Sequence, residues 1–337
     1  MKVIVDIGGC DTPEKMVAGA VNAAKAHGDY TVVLVGDADF INGRLGDKKP
    51  KNIEVVHAPD VITNEDSPTH AIRQKPDSSL VKAISLLNES GDAVGLVSGG
   101  STGAVLTGAT LLVGRLKGVH RPVLTSLMPT AIEGKAVCIA DCGANVDSKP
   151  EFLAQFAVMA SIYVKAMYGI DKPKVALLSV GTEDKKGDER TKATFPLLKQ
   201  LPLNFVGNME ARDALTGDYD VIVTDGFSGN VLLKSTEGTA KMVMGKLKQA
   251  LMSSALSKIG ALFMKKSLKA LKSSMNYHVY GGGAFLGVKK LVVKMHGSAN
   301  EVSTEASISN IIKMHENKIL ESITEGISAA VERGETE

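Results

Sequence analysis

Nine short runs of β-branched and other apolar residues, separated by longer stretches of helical periodicity, constrain this chain more than any other feature. They are "KVIVDI" (2–7), "TVVLVG" (31–36), "IEVVHA" (53–58), "AVGLVS" (93–98), "VLTSLM" (123–128), "AVCIAD" (136–141), "KVALLSV" (174–180), "LNFVG" (203–207) and "DVIVTD" (220–225). Several are apolar at successive positions, which suits strands covered on both faces, as in a parallel sheet with helices on either side. Helical patterns occupy 13–27, 78–90, 102–116 and 150–168, with Pro13 and Pro150 in first turns, where a missing N–H costs nothing. The expected fold class is α/β, a three-layer α/β/α sandwich around a mostly parallel sheet. Neither a repeat nor a low-complexity linker divides the chain, so residues 1–337 are expected to form a single domain; a soft boundary at 129–150 reads as a cleft between two lobes.

Hydrophobic residues at 44% and charged residues at 23% exclude a disordered chain or a coiled coil. No run approaches the roughly 20 apolar residues of a membrane span, and "MKVIVDIGG" reads as a first strand with no cleavable signal, so a cytoplasmic protein is expected. Cys10, Cys138 and Cys142 are too few for a disulfide framework, and the pair in "VCIADC" reads as core packing. Between Gly238 and Asn300 stand eleven lysines with no Asp, Glu or Arg, leaving 28 basic and 37 acidic residues elsewhere. Such a cationic region attracts a membrane, a nucleic acid or an acidic protein. Lysines without arginine, among few aromatics, serve base readout and stacking poorly, so nucleic acid is the least expected of the three.

Open α/β sheets bind ligands at the carboxyl ends of their strands, where helix N-termini also point. "VSGGSTGAVLTGA" (97–109) lies at such a place: Ser98, Gly99, Gly100, Ser101, Thr102 and Gly103 can cradle a phosphate or carboxylate. The structural alternative is a tight turn capped by Ser101 or Thr102. Neither a dinucleotide nor a Walker fingerprint is present. "TDGFSGNVLLK" (224–234) repeats the logic with Asp225 and Asn230, and "DCGANVDSKPEFL" (141–153) gathers Asp141, Asn145 and Asp147 ahead of a helix. "SVGTEDKKGDERTK" (179–192) concentrates charge, Lys185 and Lys186 included, in what is most simply a solvated loop.

Taken together and in order, these segments, with "LVGD" (34–37), "AIRQKPDSSL" (71–80), "GRLKGVHRPVL" (114–124), "NFVGNMEARD" (204–213), "YGGGAFLG" (280–287) and "HGSAN" (296–300), resemble the phosphate acyltransferases of bacterial phospholipid synthesis over nearly the whole chain. That family usually opens V-D-A-M-G-G-D-H-A-P; here "VDIGGCDTPE" keeps Asp6, Gly9 and Asp11 but not the residues at Gly8, Cys10, Thr12 and Pro13. "SGGSTGA" likewise stands where S-A-G-N-T-G-A is common. The resemblance implies a fold like that of phosphotransacetylases and the isocitrate dehydrogenase group, usually homodimeric. It also implies a reaction in which inorganic phosphate attacks the thioester of an acyl carrier protein, giving an acyl phosphate for a membrane glycerol-3-phosphate acyltransferase. An enzyme of this kind needs no nucleophilic Ser or Cys, because phosphate brings its own oxygen. Lys185, Asn145 or Asn230 can supply the oxyanion donor, with Asp6, Asp11, Asp147 and Asp225 lining the site. No metal or redox cofactor is expected, since the seven His are scattered. A catalytically altered carrier-binding or membrane-binding scaffold of the same fold is the alternative.

The segment 251–275 carries Leu256, Ile259 and Phe263 at helical spacing with Lys258, Lys265 and Lys266 around them. Within a basic, amphipathic helical extension at about 240–280 it can contact an anionic membrane surface, the carrier protein, or a second subunit.

Overall fold

The computed structural model describes residues 1–297 and 299–334. Eleven strands make one sheet: β1 (Lys2–Asp6), β2 (Thr31–Gly36), β3 (Ile53–His57), β4 (Ala93–Ser98), β5 (Val123–Pro129), β6 (Ala136–Ala140), β7 (Lys174–Ser179), β8 (Asn204–Glu210), β9 (Val221–Val223), β10 (Gly283–Leu286) and β11 (Leu291–Lys294). The helices are α1 (Pro13–Ala26), α2 (Ala38–Leu45), α3 (Pro68–Gln74), α4 (Ser79–Glu89), α5 (Thr102–Gly108), α6 (Pro150–Tyr168), α7 (Glu189–Gln200), α8 (Gly226–Leu251), α9 (Ala255–Phe263), α10 (Lys265–Ser274), α11 (Glu301–Glu316) and α12 (Ile319–Gly334). Alternation of side chains within β1 sets the layers. Val3 and Val5 pack among residues of α1, α6, α11 and α12, whereas Ile4 packs with residues of α3, α4 and α5 on the other face. The mostly parallel three-layer reading holds.

Strand order is β3-β2-β1-β4-β11-β10-β5-β6-β9-β7-β8. The first five run parallel to one another and so do the last four, but β10 is antiparallel to both neighbours and β5 is antiparallel to β6. The two parallel sets therefore point in opposite directions. Val97 lies opposite Val293, Val293 opposite Ala284, Thr125 opposite Ala140, and Ala140 opposite Val223. With Phe285 facing Leu124, and the Thr125 hydroxyl donating to the Ala284 carbonyl at 3.1 Å, these residues form one transverse row. Carboxyl ends of both sets thus converge on the middle of the sheet, across β10 and β5.

Two differences from the sequence reading have physical causes. Strands β10 and β11 are four residues each, and glycines surround the first, so neither offers a run long enough to stand out. Within 102–116, α5 gives way after Gly108 to a π turn over Ala109–Val113, ended by Gly114 at a φ of 87° that favours glycine. In the basic segment α8 reaches Leu251, and α9 and α10 follow as separate helices, with Ser254 capping α9 by accepting from the Ser257 N–H. Among the described residues no helix is long and apolar enough to cross a membrane.

Candidate active site

Where the carboxyl ends converge lies a cleft of about 440 Å³. Gly9 and Asp11 after β1, Gly99, Gly100 and Thr102 after β4, and Lys294 to Gly297 at the end of β11 form one side. Leu124 to Ser126 on β5 and Cys142 and Gly143 after β6 form the floor toward the second strand set, and Asn230, Leu233, Lys234 and Glu237 on α8 form a wall. Tyr277 and His278, stacked with ring centroids 4.5 Å apart, and Gly281 to Gly283 complete it. The turns in "VSGGSTG" and "TDGFSGN" do meet across one cleft.

Asp6 organises the β1 and β4 turns. Its buried carboxylate accepts from the Gly8 N–H at 3.1 Å and the Ser98 hydroxyl at 2.7 Å, and the Ser98 oxygen in turn accepts from the Gly100 N–H at 3.1 Å. Burial raises the carboxyl to a pKa of about 6, partly opposed by those hydrogen bonds. Ser98 and the Gly100 amide are consequently turned inward rather than into the cleft. Close packing explains the glycines: a Cβ on Gly99 would stand 2.9 Å from the Cys10 Cβ, and one on Gly283 2.2 Å from the Thr125 carbonyl oxygen. Ser101 precedes α5 without capping it through its side chain, and Gly103 packs against Pro68.

The other candidates separate into cleft and support. Asn230 borders the cleft, beside Gly143. Asn145 does not: its side-chain amide donates to the Pro122 carbonyl at 2.7 Å and to Asp141 at 2.9 Å, holding the 141–147 loop. Asp225 caps α8 by accepting from the Phe227 and Ser228 N–H groups and forms a 2.8 Å ion pair with Arg190. Lys185 and Asp147 are exposed and stand outside the cleft lining. In the motif "HGSAN", Ser298 lies outside the described residues.

Sequence reasoning missed Lys294, Lys234, Glu237, Tyr277, His278 and His296 as cleft residues. Lys294 is 8% exposed, and burial lowers its pKa to about 8. Burial likewise lowers the His278 and His296 pKa values, with Lys234 adding to the effect at His296. The available signal was a lysine directly after the apolar run "LVV", the pattern of a charge at a strand's carboxyl end. Among the eleven lysines of one acid-free region it does not stand out.

Known proteins give this geometry a context. A phosphotransacetylase from Streptococcus pyogenes shares the fold, with a TM-score of 0.57 over 94% of each chain at 19% identity. A branched-chain phosphotransacylase from Enterococcus faecalis does so at a TM-score of 0.54, 18% identity, 94% of this chain and 99% of that one. In sequence, the phosphate acyltransferase of Clostridium acetobutylicum is 44% identical over 96% of this chain and 98% of its own, and that of Clostridioides difficile 43% identical over 97% and 96%. The family model described as fatty acid synthesis protein matches residues 1–322. With a family model matched over residues 1–322 and likeness at that level running almost from end to end, the chain belongs to the fatty acid synthesis protein family.

Proposed function

We propose that the cleft transfers a fatty acyl group from the thioester of acyl carrier protein to inorganic phosphate, giving an acyl phosphate for phospholipid synthesis. A phosphate oxygen forms the new bond to the acyl carbon and the C–S bond breaks; the carrier thiolate leaves with the electron pair and takes up a proton. Thiol pKa values near 8.5 make this leaving group undemanding, so alignment and charge are what the protein must supply. Glycine turns at the carboxyl ends of β1 and β4 border the space for phosphate, and Asn230 approaches from α8. Of Lys185, Asn145 and Asn230 as oxyanion donors, Asn230 is the one that lines the cleft, whereas the Asn145 amide is already engaged. The observation carrying this reading is that single cleft, bordered by both turns, in a chain 44% identical to a phosphate acyltransferase.

Reaction at a membrane suits the exposed helices. Leu256, Ile259, Leu262 and Phe263 on α9 are open to solvent beside Lys258, Lys265 and Lys266, an arrangement suited to the face of an anionic bilayer. A cytoplasmic homodimer in peripheral contact with the membrane would pass its product to a glycerol-3-phosphate acyltransferase there. Incubating the protein with acyl-carrier thioester, with and without phosphate, tests the reading: thioester loss is expected only with phosphate. Thioester that persists under both conditions overturns it and leaves a carrier-binding scaffold.

A further inference from the structure

The strand register sets Asp6 opposite Ser98 and Ser98 opposite Lys294, so three polar groups share one row at the carboxyl ends of β1, β4 and β11. Two of the three look inward. The Ser98 hydroxyl and the Gly100 N–H are spent on the Asp6 network, so the turn after β4 offers an incoming anion less than its sequence suggests. Positive charge must come from elsewhere in the cleft. Lys294, nearly buried at the cleft edge, has three ammonium donors, one of which goes to the Met295 carbonyl. Across from it on α8, Lys234 lines the same cleft, held by Glu237 at 2.8 Å. Desolvating one ammonium near another is unfavourable unless an anion joins them.

We propose that Lys294 is the cation that receives inorganic phosphate, with Lys234 meeting the same anion from α8 across the shared cleft. The role in turnover rests on the acyl-transfer reading, whereas the anion site itself does not. Charged and titratable groups around Lys294 are Asp6 on β1, Cys10 and Asp11 after it, Lys234 and Glu237 on α8, His278 in the 277–280 turn, and His296 two residues on. Burial holds Lys294 near pKa 8, Lys234 acts in the same direction, and Cys10, Asp6 and Asp11 oppose them. The anion-receiving form is therefore lost as pH rises above about 8.

Kinetics and melting together test the assignment. In Lys294→Met the KM for phosphate is expected to rise at least about tenfold, with the thioester KM within about twofold of the parent, and Lys234→Met should show a smaller rise of the same kind. Phosphate and sulfate should raise the melting temperature of the parent protein and fail to raise that of Lys294→Met. Because sulfate does not titrate in the neutral and alkaline range, its stabilisation of the parent should fade above pH about 8, a reading that stands even if Lys294→Met does not fold. An unchanged phosphate KM with a raised thioester KM, or sulfate stabilisation indifferent to pH, overturns the proposal. If the parent shows no phosphate-dependent thioester loss but Lys294→Met still loses anion stabilisation, acyl transfer fails and the anion site stands.

Discussion

Asp6 shows what one buried carboxylate does for the β1 and β4 turns and what it costs. Its folded pKa of about 6 stands above the ordinary 3.8, so between those values the folded protein keeps a proton that the unfolded chain has released. Stability from this group falls as pH rises through that window, by roughly 3 kcal/mol in total. In Asp6→Asn the fall between about pH 4 and 6 should be shallower than in the parent, measured by urea unfolding at several pH values. Equal slopes would mean that the carboxyl is not held in this environment. Gly229 is constrained by space: a Cβ there would lie 1.9 Å from the Asp141 carbonyl oxygen, so Gly229→Ala should lower the unfolding free energy by about 2–3 kcal/mol in the same assay. At this scale the sequence was readable in part. Asn230 announced itself through a small polar turn after a strand. Asp225 and Asn145 had the same outward signature but serve as a cap and a loop strut, because a capping carboxylate and a ligand-facing one look alike until their partners are placed. Lys294 is not legible as a site residue because its strand, β11, is only four residues long.

The helical arm formed by α8, α9 and α10 is the element whose purpose is least explained by the core. Phe263 is 85% exposed and Leu256 79%, with lysines interspersed. Replacing both by Asp removes two large apolar contacts worth about 1.5–3 kcal/mol each when buried. Leu256→Asp combined with Phe263→Asp should reduce sedimentation with anionic vesicles by at least about tenfold while leaving turnover of soluble acyl-carrier thioester near the parent rate. Retained vesicle binding would overturn the proposal that Leu256 and Phe263 meet an anionic membrane. Amphipathic composition makes the arm recognisable in the sequence, whereas the exact breaks at Ser254 and Met264 are not legible, because neither a serine nor a methionine within an apolar-basic pattern need end a helix. Central runs such as β1, β2, β4 and β6 are readable because burial on both sheet faces makes them continuously apolar, whereas the edge strands β3 and β8 are only partly buried.

At the scale of the whole molecule, two oppositely directed strand sets share one sheet through β10 and β5, both lying between them. β10 and β11 are drawn from beyond residue 280, so the first strand set is completed only when a late segment inserts beside β4. Pairings this distant in sequence favour slow, cooperative folding. Urea transitions followed by far-UV circular dichroism and by fluorescence of the six tyrosines should coincide. Separate midpoints would show that the two sets unfold as independent units. Strand direction could not be anticipated from apolar runs alone, since a run reads the same whichever way it enters the sheet.

The length of α8 has a consequence for traffic. From Lys234 at the cleft wall to its last residue, Leu251, the helix climbs about 26 Å at roughly 1.5 Å per residue. An acyl phosphate is an anhydride exposed to hydrolysis, and any lipid surface held at the arm's tip would stand that far from where the molecule is made. If the proposed membrane contact holds, delivery would be a race between hydrolysis and a journey on the scale of that helix.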